Sequence, residues 1–129
     1  MTAFAVAMMA ALILAAGLVI DGGLTLAARE RALDEAQEAA RAGAQAINLA
    51  IYRQNGTIVL DPGQAVADAQ AYLAGTGDRA TIRVAGDEVT VMVTRVQDMQ
   101  ILDAFGVAAI TVHAAASAVP ARGIVTELP

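Results

Sequence analysis

Residues 17–26 read GLVIDGGLTL. Asp21 is the first charged residue of the chain, and it closes the run MTAFAVAMMAALILAAGLVI of residues 1–20, in which Thr2 is the only polar side chain. An Asp-Gly step is a turn signal, and two helical glycines each cost about 1 kcal/mol relative to alanine. Against a break, strong helix formers resume within a few residues and no proline intervenes. The stretch therefore predicts a continuous or locally loosened helix. Asp21 marks the boundary of an apolar core, and Asp21, Gly22 and Gly23 form a joint or a close contact just beyond it.

Working toward the N-terminus, residues 1–20 form an uncharged segment about 30 Å long as a helix, the thickness of a bilayer's hydrocarbon. A cleaved signal peptide would carry a basic stretch ahead of its apolar run, and none is present. A buried helix would need a large protein around it. A membrane-spanning or filament-core helix fits best. Because a membrane-targeted precursor carries positive residues on its inner flank, their absence points to Met1 as a processed N-terminus.

Working toward the C-terminus, residues 24–52 contain no proline and are rich in Ala, Leu, Glu, Gln and Arg. Leu26, Leu33, Ala40, Ala44, Ile47 and Ile51 mark one apolar stripe. Glu30, Arg31, Asp34, Glu35, Glu38 and Arg41 mark a solvated face, with Arg31 to Glu35 and Glu38 to Arg41 spaced to pair across a turn. Ala39, Ala40, Ala42, Gly43 and Ala44 are small enough for a sheet or a second helix to approach closely. Asn55-Gly56 ends this helix. Residues 57–60 are a candidate short strand, and Asp61-Pro62 begins a short helix with Asp as cap and Pro at its first position. Gly75-Thr76-Gly77 stops it. Residues 81–85 and 89–95 alternate as strands joined by a hairpin at Gly86-Asp87, residues 97–105 are a short helix or loop ended by Gly106, and residues 110–119 are a third strand. Residues 121–129 read as a loose tail.

The expected fold is α+β: a long N-terminal α-helix with an apolar first half, a short helix, and a small antiparallel three-stranded sheet packed on its lower half. It divides into an apolar membrane or filament-core helix (1–24), an amphipathic continuation of that helix (25–54) and a small C-terminal α/β domain with its tail (55–129). The 129 residues are 57% hydrophobic but only 3% aromatic, so the core outside the N-terminus has small side chains. Small side chains bury little area each, and the soluble part is expected to lean on the long helix, a membrane or neighbouring copies.

Chemistry is sparse. The net charge is -5, and all eight cations are arginines scattered along the chain, which leaves no electrostatic footprint for nucleic acid. The chain lacks cysteine, which excludes disulfides and thiol chemistry. The lone histidine, His113, is expected on a strand face with Thr111, Ala115 and Ser117. Asp87-Glu88 is explained by turn chemistry, and calcium would need more oxygen ligands at loop spacing. Gly75-Thr76-Gly77 lacks the rest of a phosphate loop, and Asn55-Gly56-Thr57 fits a glycosylation sequon that the turn explains without a glycan. No catalytic, cofactor-binding or metal residue is assigned; the expectation is a chain that is not an enzyme and takes no cofactor.

The start TAFAVAMMAALILAAGLVIDGG, the following LAARERALDEAQEAARAGAQA, and the pair VTVMVTR and ILDAFGVAAITVHAAASA resemble TadE/TadG-like proteins of the Tad branch of type IV pilus systems, in their actinobacterial form. The resemblance covers most of the chain and is carried by composition and order, not by catalytic motifs. It implies a membrane-held precursor, processing by a prepilin peptidase, contact with the membrane assembly machinery, and assembly with copies of itself through the N-terminal helix. Many such proteins place a glutamate before the phenylalanine near the cleavage site; here Ala3 precedes Phe4. Filament register would then rest on packing of Phe4, Met8, Met9, Leu12, Ile13, Leu14, Leu18, Val19 and Ile20, with Asp21 as an acidic contact. The function expected from this resemblance is a structural subunit of an extracellular pilus-like filament or cell-surface polymer. The alternative is a minor pseudopilin or single-span membrane protein that assists pilus assembly.

Overall fold

A computed structural model describes residues 1–121. The tail expected at residues 121–129 lies, but for its first residue, outside the described residues. The order of elements is α1 (Thr2–Ala44), α2 (Leu49–Asn55), α3 (Pro62–Leu73), β1 (Arg79–Ala85), β2 (Glu88–Asp98), a 3-10 helix (Leu102–Phe105) and β3 (Ala109–Ala118). The fold is α+β, with a three-stranded antiparallel sheet in the order β1-β2-β3 packed against α1.

Helix α1 runs without interruption through GLVIDGG, 43 residues or about 65 Å. The helix formers on both sides outweigh the two glycines, whose Cβ positions face open space with nothing within 4 Å. They are therefore no close contact within this chain.

The amphipathic continuation expected to residue 54 ends ten residues earlier, at Ala44. Residues 46–48 are drawn out of the helix to meet residues 59–61: Asn48 N–H donates to the Val59 carbonyl, Asp61 N–H donates to the Ala46 carbonyl, and Ile47 bridges Leu60. Asn48 then caps α2, its side chain accepting from the Ala50 and Ile51 amides. The short strand expected at 57–60 is reduced to that one bridge. Asp61 caps α3 as expected, accepting from the Gln64 amide, with Pro62 in the first turn. The β1–β2 hairpin closes on two residues, with Gly86 at φ +64 and no positive φ at Asp87, the pattern of a type II′ turn.

The sheet lays one face on α1. Val89, Val91 and Val93 of β2 are fully buried, and they share a core with a stripe of α1 composed of Ala32, Ala36, Ala39, Ala40, Gly43 and Ala44; Ala28 continues the buried stripe toward the N-terminus. This corrects the expected stripe: Leu26 and Leu33 are exposed. The valine face comes too near for leucine, and the three- and four-residue spacing of small residues allows the approach. Gly43 shows how close it is, since a Cβ there would lie 2.8 Å from the Ala65 carbonyl oxygen of α3 and 3.1 Å from a Val89 methyl.

Candidate functional site

Two features stand out on α1, and they meet at Asp21. The first is the bare N-terminal half. Phe4, Met8, Met9, Leu12, Ile13, Leu14, Leu18, Val19 and Ile20 are all exposed, from 41% at Leu14 to 75% at Val19. At about 100° per residue they cover the helix except for one sector of about 100°, and Gly17 and Asp21 lie in that sector. By length and composition this helix can cross a membrane, and almost none of its apolar window is buried within the chain. The structure thus sets the nine residues along one rod and, among the described residues, leaves all of them exposed.

The second feature is the clamp at the end of that rod. Asp21 is fully buried. Its carboxylate accepts three successive backbone amides from the β2–β3 connection: Gln100 at 2.9 Å, Ile101 at 3.0 Å and Leu102 at 2.7 Å. Those amides lead into the 3-10 helix, whose own cap position holds Ile101, a residue with no side-chain acceptor. Asp21 therefore supplies from about eighty positions away the capping that a local Ser or Asp would ordinarily give. One turn earlier, Gly17 is buried against the same connection; a Cβ there would lie 2.7 Å from the Ile101 Cγ2. The connection is closed on itself by Met99 N–H to the Ala108 carbonyl and Val107 N–H to the Leu102 carbonyl, with Gly106 in the left-handed region at φ +94.

Sequence reasoning singled out Asp21 as a boundary and missed what it holds. It also missed Gly17, Ile101 and Leu102. The available signals were an acid four residues after a glycine on one helical face, and a short apolar segment lacking its own N-cap.

Farther along α1, β2 continues its inward face past the valines to Arg95. Its guanidinium binds Glu35 of α1 (Nη2 to Oε1, 2.6 Å) and Asp78 before β1 (Nε to Oδ2, 2.6 Å). All three side chains are mostly buried. Glu35 was expected to face solvent and to pair with Arg31; it turns to Arg95, while the Glu38 to Arg41 pair forms at 3.1 Å. Burial pushes the Glu35 carboxyl above its ordinary range, Arg95 opposes that, and the neighbouring Asp78 adds to it. Glu35 Oε2 is buried without a hydrogen-bond partner among the described residues.

His113 sits on the exposed outer face of the sheet, its Nδ1 3.0 Å from the Thr94 hydroxyl, beside a second cross-strand pair of Thr90 with Ser117 at 2.8 Å. Among the described residues no group of three or more His, Asp or Glu side chains is placed to hold a metal ion. No family model, curated protein or solved structure matches this chain.

Proposed function

We propose that this protein is a structural subunit of a pilus-like filament, held by its apolar helix in a membrane before assembly and by copies of itself afterwards. The observation that carries the proposal is the pairing of a membrane-length apolar half-helix, whose bulky side chains are all exposed, with a domain that among the described residues packs on the other half and reaches the apolar one at Gly17. A rod apolar on all sides needs either lipid or like rods around it, and its alanines permit close helix approach. The resemblance to TadE/TadG-like proteins supports the same reading. It implies a prepilin peptidase, membrane assembly machinery and a final location outside the cell. The role is structural, not enzymatic.

A second reading, a minor pseudopilin or single-span protein that assists assembly, is favoured by one observation. With Ala3 before Phe4, the carboxylate that would meet a neighbour's N-terminal amine is missing. Shearing producing cells and pelleting the sheared material separates the two. The filament subunit appears in the pellet, and Leu12→Arg removes it, because an unpaired charge in an apolar helical core is costly. A chain found only in membranes contradicts the filament, as does a normal pellet from Leu12→Arg.

A further inference from the structure

We infer that the β2–β3 connection is a second membrane contact: its apolar tip, with Phe105 and Val107 outermost, rests in the lipid interface beside α1 and sets the depth of the helix. This rests on the membrane-held state proposed above and adds a lipid partner for a part of the sheet domain.

The argument begins with the position of the tip along the helix. After Asp21 the next charged residue of α1 is Arg29, so residues 1–28 carry no exposed charged side chain. A bilayer's hydrocarbon takes about 20 helical residues. Every placement of such a span within that segment, from residues 1–20 to residues 9–28, includes Gly17. Ile101 and Leu102 pack on Gly17, so they lie at membrane depth in all of these placements.

The surface the tip presents fits that depth. Phe105 is 51% exposed and Val107 42%, beside the half-buried Ile101 and Leu102. Asp103 is exposed on the same turn, which confines the tip to the interface and keeps it out of the hydrocarbon.

Non-helical backbone is tolerated at such depth only where its polar groups are satisfied within the protein. Here the amides of Gln100, Ile101 and Leu102 end on the Asp21 carboxylate, and those of Gly106 and Val107 end on the Asp103 and Leu102 carbonyls. The clamp thus satisfies in one arrangement a carboxylate and a set of amides that would each be costly near lipid alone.

The chain has no tryptophan, so single substitutions give clean fluorescent probes. The full chain is reconstituted in phosphatidylcholine vesicles with and without acyl-chain-brominated lipid, carrying Phe105→Trp, Val107→Trp, Leu12→Trp or Tyr52→Trp. Loss of emission in brominated vesicles is expected for Leu12→Trp, and for Phe105→Trp and Val107→Trp with bromines placed near the headgroup. Tyr52→Trp, beyond the far end of α1, keeps its emission. If Leu12→Trp is quenched while both tip probes behave like Tyr52→Trp, the tip stands in water and this inference fails with the membrane-held helix intact. If Leu12→Trp is not quenched, the membrane reading fails and the inference falls with it.

Discussion

The two halves of α1 use apolar side chains in opposite ways. In residues 25–44 the small ones are buried and the large ones are not: Ala32, Ala36, Ala39 and Ala40 have no exposed surface, while Leu26 and Leu33 face outward. In residues 2–20 the side chains are larger, and among the described residues every bulky one is left exposed. The difference separates two kinds of burial. Contact within the chain is made by close approach of a valine sheet to alanine, and the Leu, Ile, Met and Phe side chains of the first half are left exposed. Asp21 stands where one regime gives way to the other, and it is the point at which the domain grips the rod.

The largest effect on this comparison is expected from removing the grip. Asp21→Ala takes a charged acceptor from three amides and leaves them unpaired in a part-buried site, which should cost about 3 kcal/mol. Amide exchange of the full chain in detergent micelles checks this: Gln100, Ile101 and Leu102 should lose protection while the valine strand keeps much of its own. Unchanged protection at those amides would remove Asp21 from its role.

A comparable loss should follow at the arginine that joins both carboxylates to the sheet. Arg95→Gln leaves Glu35 and Asp78 facing one another without a cation and should cost about 2–4 kcal/mol. Glu35→Gln should behave differently. Because the folded-state pKa of Glu35 is raised, its stabilising contribution is fully present below its unfolded pKa and is lost as the pH rises through the folded value. Denaturation of the full chain in micelles should therefore show Glu35→Gln gaining on the parent as the pH goes from about 4 to about 7. A difference that stays constant with pH would contradict the direction of that shift.

The smallest effect has the opposite sign. Gly22→Ala and Gly23→Ala meet no neighbour within 4 Å and lie in helical backbone, so each should stabilise the isolated subunit by up to about 1 kcal/mol. Gly43→Ala, pressed against the Ala65 carbonyl, should destabilise it by about 1–3 kcal/mol. If the two open glycines instead resist substitution in sheared filaments while tolerating it in micelles, their space is used by a neighbouring copy, which would sharpen the division between the halves.

Much of this was legible in the sequence, for reasons that can be named. The uninterrupted helix followed from helix formers on both sides of Gly22-Gly23. The hairpin followed from Gly86-Asp87 between alternating runs, and the start of α3 from Asp61-Pro62. The break at Ala44 was hidden because it depends on residues 46–48 pairing with residues 59–61, a tertiary contact that overrides the local preference for helix. The buried stripe was misplaced because hydrophobicity ranks leucine above alanine, whereas the distance to the sheet selects for size. Asp21 was visible as an anomaly, but its partners lie some eighty residues away and offer backbone, which carries no sequence signal. The Arg95 cluster was obscured likewise, because Glu35 had a plausible local partner in Arg31.

The central claim is that the bulky apolar half of α1 is covered by something outside its own chain once the subunit is in place. The chain has no cysteine, so single cysteines report access directly. Sheared material from cells producing Leu12→Cys, Val19→Cys or Tyr52→Cys is treated with a water-soluble maleimide before and after denaturation. The account predicts prompt labelling at residue 52 and labelling at residues 12 and 19 only after denaturation; equal labelling at all three positions in the intact material would contradict it.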